Sequence, residues 1–202
     1  ASDAATAPDG APVNLLLLGP QGSGKGTQGK RIASEWEIPH VATGDMFRAL
    51  DDSTELGREV AAIMERGELV PDAITIRMIR ERLAQPDAEE GFVLDGFPRN
   101  LAQAEALDEM LAEIGRGLDA ILFFDLPDEI AYERMRGRAL EENRPDDTPE
   151  AMRTRLAIYH EQTEPVVEHY RVTGKLVPLH AGRSVEEVFG EIENALATVS
   201  SR

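Results

Sequence analysis

Cysteine is absent from the 202 residues. Its absence excludes disulfides, thiolate zinc sites and cysteine nucleophiles. Lysine is nearly absent: only Lys25, Lys30 and Lys175 occur, and the other basic residues are arginine. Basic charge as a whole is scarce, with 21 Lys and Arg against 38 Asp and Glu and a formal net charge of -17. Phosphate affinity over a broad surface needs an excess of cations, so nucleic acid and anionic membranes are not expected partners. Long hydrophobic runs are missing too. Val13–Leu18, interrupted by Asn14, is far too short to span a bilayer. Residues 1–12 (ASDAATAPDGAP) lack the basic and apolar regions of a signal peptide and read as a flexible tail, so the expected compartment is the cytoplasm.

The shortage of lysine has two readings, a GC-rich genome or adaptation to salt. In the second, self-repulsion of the anionic surface destabilises the compact state until salt screens it. Its expected result is a melting temperature that climbs between low and molar KCl. A flat melting temperature excludes it.

What is present suits one packed core: 42% of residues are hydrophobic and 29% charged. Strands are expected at 13–18, 38–42, 91–95, 120–126 and 176–179, with helices between them. Helices are expected at 25–36, in two short pieces over 44–67, at 72–85, after the cap Asn100, and after Pro127. A long one follows over 148–170, and a last one after the cap Ser184. On the helix after Asn100, Leu101, Ala104, Leu107, Leu111 and Ile114 are expected to share one apolar face. Strands that alternate with helices imply an α/β fold: a five-stranded parallel sheet with helices on both faces and ligands at the carboxyl ends of its strands.

One segment in that position carries chemistry. Gly19-Pro-Gln-Gly-Ser-Gly24-Lys25-Gly26-Thr27 follows the first strand and opens a helix. Glycines let consecutive backbone N–H groups converge on an anion at a helix N-terminus, and Lys25 adds a mobile charge. The strict G-x-x-x-x-G-K-[ST] pattern is not met, since Gly26 stands at the hydroxyl position. Gly24–Gly29 also matches G-x-G-x-x-G, but it starts too far from the strand for a dinucleotide fold. No N-K-x-D segment for reading guanine occurs.

The remaining segments are Thr43-Gly-Asp-Met-Phe-Arg48, Gly67-Glu-Leu-Val-Pro-Asp72, Asp95-Gly-Phe-Pro-Arg99 with Gln103, and Tyr159-His-Glu-Gln-Thr-Glu-Pro165. Between residues 134 and 155 six arginines face five acids, leaving this stretch at +1 within a chain of -17. With the glycine-rich loop, these segments closely resemble the adenylate kinase family, in its short-lid form, over about residues 13–198.

The resemblance implies a P-loop NTPase-type fold with a helical AMP-binding insert at about 42–71 and a short lid at about 137–147. It implies the reaction ATP + AMP ⇌ 2 ADP by direct in-line transfer, with Mg²⁺ and without zinc, in a monomer whose partners are ATP, AMP and ADP. It places ATP on Gly22, Ser23, Gly24, Lys25, Gly26, Thr27, Arg134, Arg138 and Arg183, the last in a loop whose backbone, with Gly182, touches the base. It places AMP on Thr43, Arg48, Glu68 (by its backbone), Leu69, Val70, Gly96, Phe97, Pro98, Arg99, Gln103, Arg144 and Arg155. Lys25, Arg99, Arg138, Arg144 and Arg155 then carry the catalysis, and Asp95 reaches Mg²⁺ through bound water. The physics agrees: phosphoryl transfer asks little covalent work of a protein and much positioning by cations, for which arginine's charged fork is suited.

Asp146 and Asp147 are expected to fix lid arginines or cap a helix, because a phosphate acceptor has no proton to lose. Arg136 and Arg153 are expected on helix surfaces, and His160 and His169 on helix surfaces or partly buried. The alternative function is another nucleoside monophosphate kinase of the UMP/CMP type. Thr43 together with Gln103 favours AMP.

Overall fold

The computed structural model describes residues 13–144 and 146–199. The tail expected at 1–12 lies outside them. Five strands, β1 (Val13–Leu18), β2 (His40–Ala42), β3 (Gly91–Asp95), β4 (Ala120–Asp125) and β5 (Leu176–His180), pair in parallel in the order β2-β3-β1-β4-β5. Parallel strands need crossovers, and helices supply them. The helices are α1 (Lys25–Glu35), α2 (Thr43–Arg48), α3 (Glu55–Glu65), α4 (Asp72–Leu83), α5 (Leu101–Glu113), α6 (Asp128–Glu142), α7 (Pro149–Ile158), α8 (Glu164–Arg171) and α9 (Val185–Val199).

The apolar run of β1 is buried on both faces because consecutive side chains point to opposite sides. Leu16 and Leu18 join Ile79, Leu107, Leu111, Val166 and Tyr170 from α4, α5 and α8. Leu15 and Leu17 join Ile32, Ala131, Phe189 and Ile192 from α1, α6 and α9. The strand order turns β1 into a switch point. The chain leaves β1 towards β2 on one side, then crosses from β3 to β4 on the other. Such a point opens a crevice at the carboxyl ends of the strands.

A third, smaller apolar cluster stands apart from the sheet. Val60, Ile63 and Val70 pack with Phe47, Leu50, Leu56, Met64 and Ile74. Thr54 caps α3 by accepting from Gly57 N–H at 3.0 Å. The helices α2 and α3 therefore have a small core of their own.

Four local expectations are corrected. The strand at 38–42 shortens to His40–Ala42, because Ile38 N–H donates back to Ala33 and Glu37 takes a left-handed turn at φ 54°. On α5 the buried face is Gln103, Ala104, Leu107, Met110 and Leu111, while Leu101 and Ile114 at its ends are exposed. The short lid expected at about 137–147 is helical as far as Glu142. The long helix at 148–170 is α7 and α8 joined by a wider π-type turn over Tyr159–Thr163. Pro165 explains the last: it has no N–H to donate to the carbonyl one turn back and its ring crowds that carbonyl, so the ladder widens just before it. Ser184 caps α9 as expected, with Ser184 Oγ accepting from Glu187 N–H and Glu187 Oε2 accepting from Ser184 N–H.

Candidate active site

The crevice is a single cleft of about 1120 Å³. That is above the roughly 300–1,000 Å³ of a pocket for one small ligand. One end is formed by residues 21–28, Arg134, Arg138, Ala181 and Arg183–Val185, the other by Arg48, Glu68, Leu69, Val70, Arg99 and Gln103. Asp95, Gly96, Arg144 and Arg155 also line it.

At the first end the turn after β1 delivers Gly24 at φ 92° as the residue before α1. The first bond of this helix runs from Gln28 N–H to Gly24 C=O, so the N–H groups of Lys25, Gly26 and Thr27 precede any intrahelical partner. They form an anion site with the helix dipole behind it. Gly22 is required for a steric reason: at φ 79° a Cβ there would stand 2.6 Å from the Ala131 carbonyl oxygen.

Lys25 Nζ donates to the carbonyl oxygens of Gly19 and Pro20, both at 2.8 Å. Desolvation in the cleft wall pushes its pKa down to about 8. Asp95 opposes that shift, and the nearby Arg99 and Arg138 add to it. An arriving phosphate favours the charged ammonium. Triphosphate binding near pH 8 is therefore expected to take up protons and to weaken as pH rises through about 8. Calorimetry in buffers of different ionisation enthalpy checks this, and a binding heat independent of the buffer contradicts it.

β3 ends in Asp95, whose Oδ2 bonds His40 Nε2 at 3.2 Å. Burial alone would raise this carboxyl. The His40 bond and the charges of Lys25, His40 and Arg99 outweigh burial and hold it below the usual range. The next residue, Gly96 at φ 84°, offers its carbonyl oxygen to Thr43 Oγ1 at 3.0 Å and to Arg99 Nε at 2.8 Å. Arg99 is thereby aimed along the cleft. Desolvation lowers its pKa to about 10; Asp95 works against this, and Arg155 and Arg48 add to it. With the Gln21 amide turned so that its oxygen faces Arg99, that oxygen accepts from both terminal nitrogens, at 3.2 and 3.1 Å.

Arg48, Arg138 and Arg155 converge on two buried carboxylates. Asp147 accepts from Arg138 Nε and Nη2, both at 2.9 Å, and from Arg155 Nη1 at 2.5 Å. Asp146 accepts from Arg155 Nη2 at 2.7 Å and from Arg48 Nη2 at 3.2 Å. Arg155 Nη2 also donates to the Met64 carbonyl oxygen on α3. One ionic network thus ties the α2–α3 arm, the 143–148 connection and α7 together across the cleft. Burial would raise the Asp146 carboxyl, but the Arg48 bond and the charges of Arg48 and Arg155 keep it low.

Most residues expected in the site line this cleft. Gly182, Thr43, Phe97 and Pro98 do not. Thr43 and Phe97 are buried beneath it, and Pro98, also buried, follows a cis peptide bond. Glu68 turns its carboxylate to Arg66 on the surface, leaving its backbone to the cleft. Arg144 pairs with Glu142. Arg134 donates to the Ala181 carbonyl oxygen at 2.8 Å, and the Arg183 side chain points outward to Glu191. Arg136 and Arg153 are exposed. His160 bonds Asp128 and Glu164, and His169 bonds Asp108. Sequence reasoning missed Gln21, Met64, Asp72 and Thr163, the last of which donates to the Arg99 carbonyl oxygen at 2.7 Å. These are neighbours through space, and no spacing along the chain announces them.

Among the described residues no group of three or more His, Asp or Glu side chains could hold a metal ion. Magnesium usually keeps several waters and borrows phosphate oxygens. Asp95, lining the cleft with Oδ1 free of any hydrogen bond to the described residues, fits a role in binding such waters. No helix among the described residues is long and apolar enough to cross a membrane.

Comparison with known proteins agrees with the geometry. A family model described as "Adenylate kinase" matches residues 17–175. The adenylate kinase of Thermobifida fusca is 49% identical over 191 residues, covering 94% of this chain and 100% of that protein. That of Stenotrophomonas maltophilia is 48% identical over 185 residues, 91% of this chain and 99% of the relative. That of Parvibaculum lavamentivorans is 47% identical over 188 residues.

Proposed function

For a chain that belongs to the adenylate kinase family, and is therefore a phosphotransferase, we propose the following division of labour in the reaction ATP + AMP ⇌ 2 ADP. The loop Gly22–Thr27 holds the ATP phosphates with its N–H groups. Lys25 leaves the Gly19 and Pro20 carbonyls to follow the transferred phosphoryl. Arg134 and the 181–183 backbone flank the ATP base. At the other end Leu69, Val70 and Gln103 surround the AMP base with Thr43 directly behind them, while Gly96, Phe97 and Pro98 set the wall from which Arg99 projects. Arg48 and Arg99 hold the AMP phosphate, and Arg138, Arg144 and Arg155 surround the phosphoryl in transit. Magnesium, when bound to ATP, neutralises charge on its phosphates; Asp95 meets it through water.

One observation carries this reading: a phosphate cradle and a second cationic subsite share one cleft. Simple nucleotide binding needs only the first. Since the donor and the acceptor are both anionic, the arginines must offset repulsion between two phosphate chains as well as bind them. Residues 42–71, with their separate small core, form the AMP-side arm, and the connection near 137–147 forms the lid. Both close to keep water from the phosphoryl group. A monomeric enzyme is what the family resemblance implies, and the absence of cysteine fits a cytoplasmic one.

The test is a coupled assay with ATP and each of AMP, UMP, CMP and GMP. AMP is expected to be the best acceptor by at least tenfold in kcat/KM. A preference for UMP or CMP overturns the acceptor assignment, and no product from any acceptor overturns the activity. Lys25→Met is the control, expected to lower kcat by about 10³-fold, or roughly 4 kcal/mol.

A further inference from the structure

Gln103 is buried, and two groups of fixed polarity hold its amide. Its Oε1 accepts from the backbone N–H of Arg99 at 2.8 Å. Its Nε2 donates to Asp72 Oδ1 at 2.9 Å. A backbone N–H can only donate and a carboxylate can only accept, so only one orientation of the amide satisfies both. The reverse orientation would set N–H against N–H and oxygen against carboxylate in a buried place. Asp72 is itself anchored, because the same Oδ1 accepts from Asn100 Nδ2 at 2.9 Å, and Asn100 Oδ1 caps α5 by accepting from Gln103 N–H. Gln103 lines the cleft, whereas Asp72 stands behind it.

An amide has two N–H donors and two lone pairs. One of each is taken by Asp72 and Arg99, leaving one donor and one acceptor, in a fixed order, for a ligand. Adenine presents an amino donor at N6 beside an acceptor at N1. Hypoxanthine and guanine present an acceptor at O6 beside a donor at N1, the reverse order. A freely turning amide would pair with either. We propose that Asp72 is a positioning residue that sets the acceptor-base preference by preventing the Gln103 amide from turning over. This rests on the reading above that Gln103 meets the acceptor base.

Inosine monophosphate is the cleanest probe, since it reverses the donor and acceptor without adding the 2-amino group of guanine. The full-length enzyme is assayed with ATP and either AMP or IMP. In Asp72→Ala the ratio of kcat/KM for AMP over IMP is expected to fall at least tenfold. KM for AMP carries the change, and KM for ATP and kcat with AMP hold within twofold. Asp72→Ser, suited to the start of α4 but too short to reach Gln103, is expected to behave alike and serves if the alanine variant does not fold. Asp72→Asn keeps an acceptor oxygen and is expected to restore part of the ratio. A role confined to bracing α4 against α5 would raise KM for both acceptors alike and leave the ratio unmoved.

Gln103→Ala separates the two ideas. If it collapses the AMP to IMP ratio while Asp72→Ala and Asp72→Ser leave that ratio within twofold of the parent, the proposal for Asp72 is overturned and the base reading stands. If Gln103→Ala leaves KM for AMP unchanged, both are overturned.

Discussion

Replacing Arg99 with alanine is expected to lower kcat by about 10³-fold, or roughly 4 kcal/mol of transition-state stabilisation, without lowering the melting temperature. The two halves of this result have one cause. Arg99 is desolvated, its pKa is drawn down to about 10, and Arg155 and Arg48 repel it. In the empty enzyme that charge is a burden, only partly relieved by Asp95 and the Gly96 carbonyl. It becomes favourable when phosphate arrives, and most favourable as charge redistributes during transfer. The backbone N–H and C=O of residue 99, which hold Gln103 and Thr163, survive the substitution. KM for AMP should therefore change less than kcat. Arg99→Lys is expected to recover less than tenfold of the loss, because a single ammonium cannot hold two phosphate oxygens as a planar fork does. Steady-state kinetics with thermal melts checks the whole pattern. A destabilised Arg99→Ala, or an unchanged kcat, contradicts it.

The second large effect falls on stability. Asp147, with a fully buried side chain, bonds both Arg138 and Arg155, and Arg155 is itself only 8% exposed. Asp147→Ala strands Arg138 and leaves Arg155 with only Asp146 and the Met64 carbonyl, and breaking a buried pair from one side costs about 3–5 kcal/mol. Urea unfolding of the nucleotide-free protein is expected to show a loss in this range. A bisubstrate mimic of joined ATP and AMP should restore more stability to the variant than to the parent, since its phosphates replace the missing carboxylate. An equal gain in both would contradict the idea that phosphate and carboxylate share these arginines. Asp146 adds a pH dependence. Its carboxyl is lowered on folding, so its contribution is complete above the ordinary carboxyl value near pH 4 and is lost as pH falls through the lowered one.

The sheet and the phosphate loop were legible because they depend on local pattern. Val13–Leu18 is apolar on both faces, and the glycines with Lys25 follow it directly. The arginines were legible as a group, since cations gathered in an anionic chain need a reason. Their partners were less so. Asp146 and Asp147 could be linked to the lid arginines, but nothing along the chain shows that Arg48, some hundred residues earlier, joins them. Asp72 was visible only as the end of a Val-Pro-Asp segment, while its bond to Gln103 spans 31 positions. The ends of α5 misled because periodicity counts apolar residues without knowing where neighbouring elements stop. Leu101 and Ile114 keep the helical spacing, yet lie beyond the cover of the sheet. The widened turn before α8 had a visible cause in Pro165, but a proline also permits an ordinary kink.

That widened turn constrains how the protein can change length. A π-type turn holds one residue more than the ladder around it needs, and each residue of a helix advances the azimuth by about 100°. Delete one residue from Tyr159–Thr163 and the helix could close into regular winding, with α8 still seated on the sheet. The α7 segment just upstream would then swivel by about a quarter-turn, carrying Arg155 with Asp146 and Asp147 away from Arg48 and Arg138. Shortening the coil at 159–163 would draw this charged cluster off the cleft while the scaffold stayed intact.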